Sequence, residues 1–253
     1  MRKYVFGPIR SRRLGTSLGV DLVPAKTCPL DCIYCEARAT TALTMERKEY
    51  VDTQAVKAEL RQTLSGIPRP DYITFSGAGE PSLHSGIGEI IRFLKEEYPE
   101  CRVCLLTNGL LLGEEKLQDE LRQLDVIIPS LDASNEDEYR QINRPLPGES
   151  LDKLVAGLIS FRKKCPVRFF LEIFIVPGIN DSAESISRFA GLIGRIAPDA
   201  IQLNTLDRPG AVPGLTAAGK ETFDRFISAL SGIAPVSAFY PAAEPHIPHN
   251  GGC

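Results

Sequence analysis

Short apolar runs alternate with amphipathic stretches along most of this chain, and that alternation leaves few folds open. The runs are Ser17–Val23, Tyr72–Phe75, Arg102–Leu106, Val126–Ile128, Val167–Val176 and Ala200–Leu203. They are mostly continuous rather than alternating, the pattern of strands covered on both faces of a parallel sheet. Between them, apolar residues recur at helical spacing. Examples are Val56, Leu60 and Leu64 in Thr53–Leu64, then Ile87, Ile90, Ile91 and Leu94, then Leu151, Leu154, Val155 and Leu158. Ile186, Phe189 and Ile193 mark a further helix, Phe223, Phe226 and Leu230 a last one, and Glu114–Gln123 reads as a more polar helix. Strands separated by helices predict right-handed crossovers and a parallel sheet in sequence order. A full eight-unit barrel runs to about 250 residues. The 253 residues here must also supply long loops and terminal segments, so six units fit better. The fold class expected is α/β, a partial (β/α)6 TIM-type barrel with parallel strands. Without an internal repeat or linker, residues 1–240 are expected to form a single domain. Pro235–Tyr240 is expected to add a further strand. Residues 241–253, rich in proline and glycine, are expected to be an extended tail.

In such folds the carboxyl ends of the strands carry the chemistry. The first run leads into Lys26-Thr27-Cys28-Pro29-Leu30-Asp31-Cys32-Ile33-Tyr34-Cys35, three cysteines at C-x3-C-x2-C spacing. Three thiolates on one loop can hold three corners of an iron–sulfur cube. A closed [4Fe–4S] site takes four cysteines, so three leave one iron open to another ligand. Cys28, Cys32 and Cys35 are therefore the expected metal ligands and catalytic centre. The alternative from the same residues is a closed structural zinc site completed by His84 or Cys253. The cysteine total of 7 is odd, which favours metal ligation and free thiols over a disulfide framework. Cys101 and Cys104 make a C-x2-C pair, but strand spacing turns them to opposite faces. They read as core or surface thiols, and Cys165 lies at the amino end of its strand. The other runs also end in hydrogen-bonding groups: Gly77-Ala78-Gly79-Glu80, Thr107-Asn108, Ser130 and Asp132, Asn180, and Asn204-Thr205, with Glu172 inside the fifth run. Strand ends are polar in many α/β proteins because they cap helices. As a set, they could equally surround a small molecule that needs directional partners.

The cysteine loop with Tyr34 before its last cysteine, and Gly77-Ala78-Gly79-Glu80-Pro81 after the second run, resemble the radical S-adenosylmethionine (SAM) superfamily. The resemblance implies a partial barrel, a [4Fe–4S] cluster on Cys28, Cys32 and Cys35, and SAM chelating the open iron. It also implies an electron donor such as flavodoxin or ferredoxin, and a 5′-deoxyadenosyl radical that abstracts hydrogen from a substrate. On that resemblance, Gly77, Ala78, Gly79 and Glu80 would hold the methionyl ammonium. Ser130 or Asp132 would meet the ribose hydroxyls, and Arg144 in Asn143-Arg144-Pro145 would meet the SAM carboxylate. Tyr34, Thr107, Asn108, Glu172 and Asn204 complete the expected SAM-facing set. The motifs Phe6-Gly7-Pro8, Ser11-Arg12-Arg13-Leu14-Gly15, Leu106-Thr107-Asn108-Gly109 and Ser130-Leu131-Asp132-Ala133 resemble, within that superfamily, the wyosine-base (4-demethylwyosine) synthases. Those enzymes hold a second cluster through amino-terminal cysteines, and here no cysteine precedes Cys28. The small size also resembles glycyl-radical activating enzymes, which act on a partner protein. The substrate classes left open are a small molecule, a protein and tRNA.

Charge bears on that choice. The net charge of −3 gives no global basic field of the kind that advertises nucleic-acid binding. Arg10, Arg12 and Arg13 cluster between Gly7 and Gly15 in a segment read as a loop. They are either a solvated face or an anion clamp, since guanidinium forks suit carboxylate and phosphate. The amino terminus has no apolar run after its charges, and no stretch is apolar enough to span a bilayer. The expectation is a cytoplasmic protein without a membrane partner.

Overall fold

The computed structural model describes residues 3–240; the tail expected over 241–253, with Cys253, lies outside the described residues. The elements follow in chain order. Strands β1 (Val5–Ser11) and β2 (Gly15–Val20) form a hairpin, and the two-residue strands β3 (Thr27–Cys28) and β4 (Ala42–Leu43) pair with each other. Then come α1 (Thr53–Leu64), β5 (Tyr72–Phe75), α2 (Ile87–Glu97), β6 (Arg102–Thr107), α3 (Glu115–Leu121) and β7 (Val126–Pro129). The chain continues with α4 (Glu136–Ile142), α5 (Leu151–Lys164), β8 (Arg168–Phe174), α6 (Ala183–Ile196), β9 (Ala200–Asn204), α7 (Lys220–Leu230) and β10 (Val236–Ala238).

One sheet runs β1-β2-β5-β6-β7-β8-β9-β10, and every pairing in it except β1–β2 is parallel. The six expected units are there in sequence order, with β10 as the further strand. Two expectations are corrected. The arginine segment is not wholly a loop: Arg10 lies in a strand, and Arg12 and Arg13 in the turn that follows it. Val5–Ser11 forms antiparallel strand β1, because backbone pairing to β2 satisfies groups that an isolated loop would leave to water. The stretch from Arg38 to Asp52 is not wholly irregular, since Ala42–Leu43 pairs with the cysteine loop. The short helix α4 escaped the periodicity reading because its seven residues span only two turns.

The two faces of the strands do different work. Val103, Leu105, Ile127, Phe169, Leu171, Ile173, Ile201 and Leu203 pack outward against the helices in the main core. Leu14, Tyr72, Cys104, Val126 and Ile128 form a second apolar cluster inside the curve of the sheet. Cys101 belongs to the outer core and Cys104 to the inner cluster, as opposite faces require. One ion pair shows the curvature. Arg13, in the turn before β2, pairs with Glu172 on β8, four strands away in the sheet order. In a flat sheet those strands would lie roughly 19 Å apart at the usual inter-strand spacing, so the sheet must curl into a partial barrel. Arg12 closes the open side: it donates to the Tyr240 carbonyl at 2.6 Å and pairs with Asp207 at 3.3 Å.

The start of β1 is tied down by α1. The Glu59 carboxylate accepts backbone N–H groups from Lys3, Tyr4 and Val5 at 2.8–3.1 Å. Removing it leaves those donors without a protein partner. Glu59→Ala is expected to lower unfolding free energy by about 1–3 kcal/mol, read from urea denaturation. An unchanged midpoint would show that solvent replaces the carboxylate without loss.

Candidate metal and cofactor site

The cysteine loop has almost no regular structure, and its shape comes from neighbours. Lys26 N–H donates to the Ala78 carbonyl at 2.8 Å, and Glu80 N–H to the Thr27 carbonyl at 3.0 Å. From the other side, Asp31 N–H reaches the Asn143 carbonyl at 3.0 Å and Ile33 N–H the Ile142 carbonyl at 2.9 Å. Val212 N–H caps the Ile33 carbonyl at 3.0 Å. The loop is thus held by backbone bonds to the ends of three other units. Gly77 and Gly79 permit this contact. A Cβ on Gly77 would lie 2.2 Å from the Asp21 carboxyl carbon, and one on Gly79 would lie 2.5 Å from the Thr27 carbonyl oxygen. Gly77 also has φ +150, a conformation side chains disfavour.

Each half-buried cysteine sulfur faces a nitrogen donor from a different place in the chain. Lys26 Nζ lies 3.1 Å from Cys35 Sγ, Asn143 Nδ2 3.4 Å from Cys32 Sγ, and Asn108 Nδ2 3.6 Å from Cys28 Sγ. Burial, with the Glu80 charge second, pushes the Cys28 thiol up to about 12. Burial likewise raises Cys32. Thiols so placed ionise when positive charge arrives, which is what a metal supplies. Among the described residues, no three His, Cys, Asp or Glu side chains converge on the geometry of a single ion. Three thiols spread along one loop, each with its own N–H donor, fit the separate corners of an iron–sulfur cluster. His84 does not suit the zinc alternative. Its Nδ1 accepts from Gly86 N–H at 3.0 Å, so its Nε2 carries the proton and donates to the Val51 carbonyl at 2.8 Å.

Two buried carboxylates brace the site. Glu80 Oε1 accepts from Ser82 N–H, Ser82 Oγ and Thr107 Oγ1, and Oε2 from Asn108 N–H, all at 2.6–3.0 Å. Burial nonetheless raises its carboxyl above the ordinary range. Asp132 accepts from Tyr34 Oη at 2.5 Å, Asn143 Nδ2 at 2.9 Å and Phe174 N–H at 2.9 Å. Burial pushes its carboxyl up to about 6, against those three donors. Tyr34 also stacks on Phe174, ring centres 3.8 Å apart.

A cavity of about 610 Å³ opens beside Cys35, within the roughly 300–1,000 Å³ of small-molecule sites. Tyr34, Cys35, Glu172, Phe174 and Asn204 line one part, and Arg10, Arg12 and Arg13 another. The expected residues thus divide. Tyr34, Glu172 and Asn204 reach the cavity, and Asn108 reaches Cys28. Gly77 packs on Asp21, Ala78 and Gly79 on the cysteine loop, and Thr107 on Glu80. Ser130 bridges to Glu172 in the sheet. The carboxylates of Glu80 and Asp132 are already occupied by protein donors. Arg144 is exposed with φ +46, and it is the neighbouring Asn143 that turns inward. Sequence reading missed Lys26 and Asn143 as partners of the sulfurs. Asn143 stood inside a noted motif, but the arginine beside it was the residue singled out.

A family model described as the radical SAM superfamily matches residues 22–190. A protein named GTPase Obg from Brachyspira hyodysenteriae is 38% identical over 206 residues, covering 81% of this chain and 30% of that protein. A UPF0026 protein from Helicobacter pylori is 32% identical over 210 residues, covering 82% of this chain and 67% of that protein. The chain thus spans under a third of the first relative and about two thirds of the second. The crystal structure of a radical SAM methyltransferase from Sphaerobacter thermophilus shares the fold, with a TM-score of 0.70 at 21% identity over 89% of this chain and 66% of that one. Among the described residues no helix is long and apolar enough to cross a membrane.

His84 offers a test of the local geometry. Burial lowers its imidazole below the ordinary histidine range, so the unfolded chain takes up the proton more readily. Its contribution is present above about pH 6.5, the unfolded value, and is lost as pH falls below it. Wild type is expected to lose stability relative to His84→Asn between pH 7.5 and 5.5, measured by denaturant midpoints. Parallel pH profiles would contradict the buried, doubly bonded ring.

Proposed function

The chain belongs to the radical SAM superfamily, and from that premise we propose that it uses Cys28, Cys32 and Cys35 to hold the [4Fe–4S] cluster and the adjoining cavity to hold SAM and a substrate. Members of the superfamily are enzymes that use this cluster and SAM and require an electron donor. When bound, the pair supplies one-electron cleavage of the SAM sulfonium, giving methionine and a 5′-deoxyadenosyl radical that abstracts hydrogen. The observation that carries the proposal is the set of three sulfurs on one loop, each with its own N–H donor, with Cys35 lining a cavity of small-molecule size.

The chain's own residues then have distinct tasks. Glu80 ties the turn after β5 to Asn108, so that Asn108 faces Cys28. Asp132 orients Tyr34 and Asn143, and Phe174 supports the Tyr34 ring. Backbone groups of Gly77–Gly79 are candidates for the SAM ammonium, since the Glu80 oxygens are occupied. Ser130, Glu172 and Asn204 are candidates for SAM or substrate on the far wall. Such positioning converts encounter into an oriented reaction and excludes water. Arg10 pairs with Thr16 through its backbone and lines the cavity, and its guanidinium makes no ion pair to another described residue, which supports an anionic group on the substrate.

The proposal takes residues 1–240 as one catalytic domain, since one sheet links Val5 to Ala238. Six free cysteines among the described residues suit a reducing compartment, which the proposal takes as the cytoplasm. A flavodoxin- or ferredoxin-type donor would deliver the electron. The motifs that resemble wyosine-base synthases carry no part of the proposal. Residues 1–27 contain no cysteine, so no second cluster or wyosine chemistry is part of the proposal.

Anaerobically reconstituted protein is expected to hold about four irons per chain. With dithionite it is expected to convert SAM to 5′-deoxyadenosine and methionine. Cys32→Ala is expected to abolish that conversion and to lower the iron content. Wild-type iron content in the variant, or no cleavage by a fully loaded wild type, would defeat the proposal.

A further inference from the structure

Lys26 is buried, 7% exposed, and its ammonium has no carboxylate partner among the described residues. Among those residues its ammonium donates one hydrogen bond, to Cys35 Sγ at 3.1 Å. A buried charge without a counter-ion is costly, so the thiolate end of the site is the partner this lysine is built for. Its backbone reinforces the point. Lys26 has φ +62, a region that favours glycine. The conformation is held by its N–H on the Ala78 carbonyl at 2.8 Å, and by Thr41 and Ala42 N–H on its own carbonyl at 3.1 and 3.0 Å. Glycine would fit this backbone without strain, so the lysine is present for its side chain. The other two sulfurs face neutral amides, Asn108 and Asn143. Direct contact with a cation is therefore made at one corner, Cys35, with a weaker through-space effect of the same ammonium at Cys28.

We propose that Lys26 is a positioning residue that sets the reduction potential of the cluster, through its ammonium at Cys35. The inference rests on the proposed cluster ligands. Three thiolates give the loaded site net negative charge, and the added electron increases it. A fixed cation beside one sulfur stabilises the reduced state more than the oxidised one and moves the couple upward, within reach of a protein donor. The amides of Asn108 and Asn143 act in the same direction, more weakly, because they carry dipoles rather than charge.

The test is an EPR-monitored redox titration of reconstituted wild type, Lys26→Met, Lys26→Gln, Lys26→Arg and Asn143→Ala, each assayed for iron. Lys26→Met and Lys26→Gln are expected to keep iron and to show about tenfold less reduced cluster at a fixed potential, a 59 mV shift for a one-electron couple. Lys26→Arg is expected to stay near wild type, and Asn143→Ala to shift less than Lys26→Met. An unchanged midpoint in fully loaded Lys26→Met would overturn the inference. So would an equal shift in Asn143→Ala, or loss of iron from both neutral Lys26 variants, which would make the lysine an assembly residue. A wild type that takes up no iron would instead sink the cluster assignment itself, and the two failures are distinguishable by that control.

Discussion

The cysteine loop depends on bonds it does not make with itself. Between Val20 and Thr53 the only regular elements are two paired strands of two residues each. What fixes the sulfurs is backbone hydrogen bonding to the turn after β5 on one side and to the end of α4 on the other. Those partners lie on separate units of the sheet, so the loop has a shape only when the barrel is assembled. The order of causes runs from parallel pairing, to curvature, to convergence of strand ends, and only then to three sulfurs with three donors. A substitution far from the cysteines that opened the curve would scatter the donors before it disturbed the loop's own sequence.

The two buried carboxylates serve that convergence. A carboxylate removed from water needs hydrogen bonds to most of its lone pairs. Glu80 and Asp132 find theirs on residues of neighbouring units, so each acts as a clamp between strand ends. Glu80 joins the β5 turn to Asn108, and Asp132 joins β7 to Tyr34, Asn143 and Phe174. Their hydrogen bonds from Asn108 and Asn143 link the clamps to the residues that face the sulfurs. On the opposite side, Arg12 and Arg13 draw the hairpin to Asp207, Tyr240 and Glu172, narrowing the open edge of the partial barrel.

Much of the architecture was legible because buried parallel strands and amphipathic helices leave strong periodic signals. Helix Thr53–Leu64 and strand Tyr72–Phe75 have the bounds the pattern gave them. The hairpin strand β1 was not legible, because its residues are largely exposed and Gly7, Pro8 and Arg10 mask any alternation. In the site, the cysteines announced themselves by spacing. The roles of the polar residues did not, because residue type alone cannot tell a carboxylate that faces a ligand from one spent on neighbouring N–H groups. Glu80 and Asp132 read as ligand contacts, and in the structure they also accept hydrogen bonds from neighbouring N–H and O–H groups. Lys26 and Asn143 read as flanking residues, yet their side chains meet the sulfurs. That difference lies in side-chain direction, which only long-range packing determines.

The central claim is that three cysteines hold a cluster whose remaining iron is open to SAM. Its most direct test is the EPR spectrum of the reduced, reconstituted chain before and after SAM is added. The account expects a reduced-cluster signal whose g values change on addition of SAM, in a sample with full iron content. A fully loaded protein whose spectrum SAM leaves unaltered would contradict it.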